Sequence, residues 1–440
     1  MMDSVRELLK QPPADFVKYL SEEGITRFSF IFDPAARRLV SSHDALGPIA
    51  DYIAGEMPDF QEHEGLFFQI SKPHDVLQGV FVHNTNRGQA AGGVRFWHYP
   101  TLESYLFDGL RLSRAMTQKI ALAGLWWGGG KGVMVRNPDI ENGDSAVRTG
   151  VYRDFGELCT RLRGCYVAAE DVGTTVTDME NIFTRTRFTT CIPRELGGSG
   201  NPSILTAKGV LCGMEAALEF VGQETLEGKS VAVQGLGNVG GSLVQFLFEK
   251  NVSRVIGHDI DEAVIEEFRG TYPAERLQLE QVKRGDNSIV DCECDILSLN
   301  ATGGILDPET IPRVKARIIC GGANNQLADA RRDDIALHER GILYIPDFVT
   351  NRMGIVNCAN EQYGVMEHDP YIERHLGREW EHSIHNTIID MLDKSRTAGL
   401  PTGQIAMEMA DTLAGKPHPI FGHRGRHIID TLAGEHWYDR

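Results

Sequence analysis

The 440-residue chain contains no run of about 18 apolar residues, so no segment reads as a membrane span. Its opening, "MMDSVRELLKQPPADF", lacks the basic-then-apolar pattern of a secretion signal and reads as an amphipathic helix. Basic charge is short: 44 Lys and Arg stand against 61 Asp and Glu, a net charge of −17. A nucleic-acid partner, which calls for a basic face, is therefore not expected. The eight cysteines are scattered. Only Cys292 and Cys294 lie close together, and one C-x-C without a second pair or a nearby histidine is a poor metal pattern. Internal repeats and low-complexity stretches are missing as well. These absences point to a reduced, metal-free, cytoplasmic protein. A content of 42% hydrophobic and 24% charged residues is that of an ordinary globular chain, and the length calls for two domains with appendages.

What is present divides the chain into four parts. Residues 1–75 form a mixed, partly helical extension with no chemical motif. Residues 76–205 carry short strand-like runs at 79–82 and 92–96, then "PTLESYLFDGLRLSRAMTQKIALAGL". In that stretch Leu102, Leu106, Leu110, Met116 and Ile120 recur near helical spacing behind a Thr101 N-cap. Residues 206–348 alternate buried strands ("KSVAVQ", "RVIGHD", "CDILSLN", "ARIICGG", "ILYIPDF") with helices, the pattern of a doubly wound parallel sheet. Residues 349–440 are helical and are expected to return to the second part, with the tail docked as a terminal helix. The segment "SGNPSILTAKGV" reads as a hinge. The fold class is thus α/β in two domains.

Gly235-Leu236-Gly237-Asn238-Val239-Gly240 follows a strand and opens a helix, the context in which G-x-G-x-x-G reads as a dinucleotide fingerprint. The first glycine permits a tight turn. The second lets the backbone approach a pyrophosphate at the helix N-terminus. Asp259 ends the next strand, 19 residues after Gly240, where a carboxylate bonds a ribose 2′-hydroxyl and repels a 2′-phosphate. NAD is favoured over NADP, and Asp261 is a second acid nearby. Upstream, "GLWWGGGKGVM" drives three glycines into a lone Lys131. Lys119 precedes it on the long helix, and Asp171 lies in "AAEDVGTT".

Taken together, "GGVRFW", "AMTQKIALAGLWWGGGKG", "AAEDVGTTVTDM", "SGNPSILTAKGV", "VAVQGLGNVGGSL", "GGANNQLAD" and "GIVNCANEQYG" resemble the amino acid dehydrogenase family, which comprises glutamate, leucine, valine and phenylalanine dehydrogenases. The likeness runs from about residue 76 to residue 400, in the family order and spacing. It implies reversible oxidation of an L-amino acid by NAD to a 2-oxo acid, NADH and ammonium, in a homo-oligomer. By the same resemblance Lys119 holds the α-carboxylate, Lys131 is the catalytic base and Asp171 the catalytic acid. Gly92 and Gly93 lie along the substrate backbone, and Thr206 contacts the nicotinamide carboxamide. Asn324 and Asn325 sit near nicotinamide and substrate, with their orientation left open. A free lysine titrates near 10.4, so Lys131 needs burial and a neighbouring cation to act as a base, and Lys119 is the expected cation.

The resemblance also bears on the side chain of the substrate. Glutamate-specific members carry a lysine, a glutamine and a serine where this chain has Ala91, Met116 and Cys358. A glutamate carboxylate there would be buried without partners. An apolar substrate follows, large aliphatic or aromatic, with Ile355 and Cys358 on the far wall and Trp126 or Trp127 able to take up space. The chain departs from its relatives at Asn351-Arg352-Met353-Gly354, where Arg352 and Met353 are expected to narrow the pocket or bind a polar group. Two alternatives stay open: a non-catalytic relative that senses NADH or an oxo acid, and glutamate as the substrate. Opine or 2-hydroxy-acid chemistry would use a histidine base, and neither "WWGGGKG" nor "AAEDVG" holds one.

Overall fold

The computed structural model describes residues 2–72, 74–136, 145–223 and 225–439. Two sheets organise it. The first has seven strands: β1 (Arg27–Asp33), β2 (Arg38–Ser41), β3 (Gly65–Ser71), β4 (Val76–Asn84), β5 (Ala90–Trp97), β6 (Gly128–Val135) and β7 (Tyr166–Ala169), in the order β2-β1-β3-β4-β6-β5-β7. The β2-β1-β3-β4-β6 pairings are antiparallel, whereas β6-β5-β7 are parallel. The second sheet has six strands: β8 (Ser230–Gln234), β9 (Arg254–Asp259), β10 (Leu277–Gln281), β11 (Ile296–Leu299), β12 (Ile318–Cys320) and β13 (Leu343–Ile345). All of its pairings are parallel, in the order β10-β9-β8-β11-β12-β13. This is the doubly wound order, and its crevice opens at the carboxyl ends of β8 and β11, where the strand order reverses.

Residues 1–75 are not a separate appendage. β3 pairs with β4 from Gly65↔Val82 to Ser71↔Val76, so the boundary expected at residue 75 falls inside one sheet. The reason is apolar. Phe16, Phe28, Phe30, Phe68 and Phe81 are all buried, and Phe28 stacks on Phe68 with centroids 4.7 Å apart. These rings cover the face of the sheet that also receives Tyr105 and Leu106 of the Leu102–Leu122 helix.

That helix starts as its sequence dictates: Thr101 accepts from the Ser104 amide at 3.1 Å, and Ser104 closes the capping box. The Ser203–Phe220 helix then carries the chain into the second domain. The return is made by Met353–Glu361, whose Met353 and Val356 join the core beneath β8, while Ile355, Cys358 and Ala359 join the core beneath β5. The return to the first domain is only partial. The Ile384–Ala398 and Thr402–Ala414 helices pack with Ser203–Phe220 in the nucleotide-side core. Ile429, Leu432 and Trp437 do reach the first domain, where Trp437 donates to Ser29 Oγ at 3.1 Å. No helix among the described residues is long and apolar enough to cross a membrane.

Candidate active site

Lys131 sits on β6 opposite Phe81 of β4 and is only 4% exposed. The preceding glycines explain how it gets there. A Cβ at Gly129 would lie 2.2 Å from the Thr117 amide nitrogen, so the strand lies flush on the Leu102–Leu122 helix and no side chain is tolerated. Trp127 is buried in the same core, whereas Trp126 turns outward over the Arg87 guanidinium at 4.2 Å and takes up no pocket space.

The Lys131 ammonium meets Asp171 Oδ2 at 2.7 Å. Arg95 of β5 meets the same carboxylate through Nε at 3.2 Å and turns its Nη1 to Asp108 Oδ2 at 3.0 Å. Asp108 in turn accepts from the Tyr99 hydroxyl at 2.7 Å. Burial lowers Lys131 from its ordinary value; Asp171 opposes the shift and Arg95 adds to it. Burial pushes Asp171 upward, but Lys131 and Arg95 outweigh it and hold the carboxyl below its usual range. Arg95 is thus a cation set against Lys131 that the sequence did not suggest, and Lys119, the cation it did suggest, also stands within electrostatic reach.

Lys119 lies within electrostatic reach of Lys131 and Asp171. Burial lowers it, Asp347 opposes that shift and Lys131 adds to it, for a net value of about 8. Its ammonium donates to Asn324 Oδ1 at 3.4 Å, across the cleft from the loop after β12. Asn324 also accepts from Asn351 Nδ2 at 2.8 Å, whereas the backbone N–H of Asn325 (φ +54°) donates to Asp347 Oδ2 at 3.1 Å. Of the two asparagines, Asn324 therefore faces Lys119. Gly93 packs on Asp171, where a Cβ would sit 2.5 Å from the Asp171 Cβ, and Gly92 lies against the Gly130 carbonyl and Met116. Ala91, Met116, Ile355 and Cys358 share one apolar cluster. Cys358 Sγ lies 3.2 Å from Cys191 Sγ, both buried.

On the nucleotide side, Gly235 has φ +81° and turns the chain at the end of β8. Gly237 N-caps the Asn238–Glu249 helix, and the space where a side chain would project is open. Gly240 packs on the Gly235 carbonyl, and Val239 touches Gly322, two residues before Asn324. Asp259 ends β9 at this turn and accepts from the Leu236 amide at 2.6 Å and the Asp261 amide at 2.9 Å. The open backbone at a helix N-terminus, with a carboxylate beside it, fits a dinucleotide pyrophosphate and ribose. Thr206 is buried in the first turn of Ser203–Phe220, 3.4 Å from where a Gly354 Cβ would lie.

This geometry agrees with the comparisons. The description "Glu/Leu/Phe/Val dehydrogenase, dimerisation domain" matches residues 68–188, and "Glutamate/Leucine/Phenylalanine/Valine dehydrogenase" matches residues 197–411. The chain belongs to the Glu/Leu/Phe/Val dehydrogenase family. It is 38% identical to a leucine dehydrogenase of Geobacillus stearothermophilus, over 84% of this chain and 96% of that protein. It is 34% identical to an L-tryptophan dehydrogenase of Nostoc punctiforme, over 79% of this chain and 92% of that protein. The crystal structure of an L-tryptophan dehydrogenase from Nostoc punctiforme superimposes with a TM-score of 0.65 at 32% identity, covering 80% of this chain and 95% of that one. This dehydrogenase is an oxidoreductase, and its family is consistent with a nicotinamide cofactor.

Sequence reading singled out none of Arg95, Asp347 and Glu361, although each sits inside or beside a quoted motif. Glu361 ends the return helix, and its carboxylate accepts from the amides of Cys191, Ile192 and Ser199 and from the Ser199 hydroxyl, pinning the segment before the hinge. Arg352 and Met353 do not reach the pocket. Arg352 is fully buried; its guanidinium donates to the Leu122 carbonyl at 2.6 Å, the Thr387 hydroxyl at 3.3 Å and the His382 carbonyl. It ties off the helix that carries Lys119, while Met353 fills the nucleotide-side core.

Proposed function

We propose that this dehydrogenase catalyses the NAD-dependent, reversible oxidative deamination of an L-amino acid with a large aliphatic or aromatic side chain, giving a 2-oxo acid, NADH and ammonium. The observation that carries the reading is the buried Lys131–Asp171 pair at 2.7 Å, with Lys119 in the same cleft. Lys119 and Asn324 hold the α-carboxylate and place the Cα, with Gly92 and Gly93 alongside. Bound nicotinamide supplies the acceptor for the Cα hydride. Lys131, unprotonated, takes a proton from the water that adds to the substrate iminium carbon. Asp171, ionised, takes a proton from the substrate ammonium before the hydride leaves, returns it to that nitrogen as ammonia departs, and accepts the hydroxyl proton released as the carbonyl forms. The apolar cluster of Ala91, Met116, Ile355 and Cys358 offers no partner to a side-chain carboxylate, and the leucine and tryptophan activities named for the relatives support an apolar substrate. Asp259 supports NAD, with Gly235, Gly237, Asn238, Val239 and Gly240 around the pyrophosphate and Thr206 at the carboxamide. The dimerisation label of the matched first-domain description supports a homo-oligomer, and eight free cysteines suit the cytoplasm.

Steady-state kcat/KM for L-leucine, L-valine, L-phenylalanine, L-tryptophan and L-glutamate, each with NAD and NADP, tests this reading. Turnover of one or more apolar substrates with NAD, far above glutamate, is expected. A preference for glutamate would overturn the pocket assignment. Equal use of both cofactors would overturn the role of Asp259.

A further inference from the structure

Cys191 and Cys358 touch: their Sγ atoms lie 3.2 Å apart in an S–H···S contact, and both side chains are buried. Cys358 belongs to the return helix Met353–Glu361, and Cys191 follows a short run, residues 188–190, that lies beside β7. There the Ala168 amide donates to the Phe188 carbonyl at 3.0 Å, and the Thr190 amide donates to the Ala168 carbonyl at 2.8 Å. Ala168 also pairs with Gly92 of β5. Gly92, Ala168 and Thr190 thus form one row across the sheet, two strand spacings or about 10 Å long. In the function proposed above the substrate backbone lies at the Gly92 end. Cys191 follows directly on the other.

Cys191 has φ +63°, a left-handed backbone that glycine takes freely and other residues rarely. The Glu361 carboxylate fixes it there, accepting from the Cys191 amide at 2.8 Å and from the Ile192 amide at 3.2 Å. Strained backbone of this kind persists where its surroundings over-determine it, and it gathers at ligand sites. Cys358 stands within electrostatic reach of Lys119, which sets the thiol pair on the same cleft as the carboxylate anchor. Ala91, Met116 and Ile355 join both cysteines in one apolar cluster. The contact with Cys191, and then burial, hold Cys358 well above its ordinary value, so it is a neutral thiol. A buried neutral thiol acts as a small apolar group and not as a nucleophile.

We propose that Cys191 is a specificity-determining residue: its thiol, backed by Cys358, closes the far end of the substrate side-chain pocket and sets its length. The inference rests on the apolar-pocket reading and not on the proton transfers. Glu361 binds the loop through main-chain amides at residues 191 and 192, so these hydrogen bonds call for no side chain at 191. Glycine would also take the backbone without strain. What cysteine adds over glycine is one CH₂–SH group aimed at Cys358. A change of one methylene's size at the end of an apolar pocket discriminates between substrates by roughly 10- to 200-fold. Removing the sulfur therefore favours the longer phenylalanine and tryptophan side chains over leucine and valine.

The test is kcat/KM for L-valine, L-leucine, L-phenylalanine and L-tryptophan with NAD, together with Tm, in the wild type and in four variants: Cys191→Ala, Cys191→Gly, Cys191→Ser and Cys358→Ala. Cys191→Ala is expected to raise the phenylalanine-to-leucine ratio of kcat/KM by about tenfold or more. Cys191→Gly is expected to raise it at least as far. It also removes the backbone strain, so it supplies a folded variant if Cys191→Ala does not fold. Cys191→Ser, of nearly the same size, is expected to keep the wild-type ratio. A lower Tm with a uniform fall for all four substrates and an unchanged ratio in the Cys191 variants would overturn the proposal and leave Cys191 a packing residue. A ratio changed by Cys358→Ala alone would keep the apolar pocket and remove Cys191 from it. A ratio fixed in every variant, Cys358→Ala included, would overturn the pocket assignment itself.

Discussion

At the scale of single residues the account turns on a chain of charges: Lys131, Asp171, Arg95 and Asp108. Lys131 works as a base only when unprotonated, and Arg95 is one of the groups that keep it lowered. Replacing Arg95 with Gln therefore raises Lys131, and the rise of kcat with pH moves to higher pH. Arg95→Lys retains a cation and is expected to shift less. A pH–rate profile that stays in place in Arg95→Gln would remove Arg95 from the site. Lys119→Ala acts differently: losing the carboxylate anchor should raise KM for the amino acid more than it lowers kcat, which steady-state kinetics separates. The two lysines and Asp171 were legible in the sequence through the resemblance of their motifs to the family's, since by its neighbours alone Lys119 reads as a solvated helix residue. Arg95 was not, because an arginine in a strand reads as an edge or surface residue. Only the parallel pairing of β5 with β7 brings it to Asp171. For the same reason Arg352 was misread. Its partners are carbonyls from the ends of two distant segments, which no local pattern announces.

At the scale of elements, β6 and the Leu102–Leu122 helix form a rigid pair, with the glycines as the contact. Gly129→Ala forces a Cβ onto the Thr117 backbone. Overpacking of this kind costs about 1–3 kcal/mol. A lower Tm by differential scanning calorimetry is expected together with a lower kcat, since the strand carries Lys131; an unchanged Tm would contradict the flush packing. Behind the strand lie His63 and His83, with ring centroids 4.7 Å apart. His63 is fully buried and pushed down to about 3, chiefly by burial; its Nε2 lies 3.0 Å from the Leu110 carbonyl, and its Nδ1 accepts from the Gln61 amide at 3.1 Å. The unfolded chain takes up that proton near 6.5 while the folded one does not. Stability is thus fully present above pH 6.5 and declines as the pH falls from there toward 3. Tm measured between pH 7 and 5 should fall in the wild type and fall less steeply in His63→Gln. Equal slopes would show that His63 does not set acid lability. The glycine turn between β8 and its helix was readable, since strand, glycines, helix and acid are consecutive in sequence. The buried histidines were not, because they meet across a sheet and a helix.

At the scale of the whole molecule, the alternation from residue 230 onward was sufficient to anticipate a parallel sheet and five of its six strands; β10, largely exposed, was missed. Periodicity there is local, and the central strands carry short buried runs, as in "SVAVQ" and "CDILSL". The first sheet was harder. β1 to β3 hide in an aromatic-rich segment without motifs, and their membership follows from long-range pairing that single-sequence patterns do not encode. The split of the return helix between two cores has a functional consequence. Ile355 and Cys358 face the catalytic core while Met353 and Val356 face the nucleotide core, so contact between the domains and shaping of the pocket run through one element. Glu361 at its end should matter for the same reason. Glu361→Gln loses the charge that gathers four donors around residues 191–199 and is expected to raise KM for the amino acid with little effect on NAD binding, measured by NADH fluorescence titration.

The claim on which all of this depends is that the buried lysine after the glycines performs the proton transfers. Its most direct measurement is kcat of Lys131→Ala with a saturating apolar amino acid and NAD, beside the NADH dissociation constant of the same variant. The account predicts a loss of kcat of about 10² or more, the scale of a lost general base, with cofactor affinity unchanged. Near-normal turnover in that variant would contradict it.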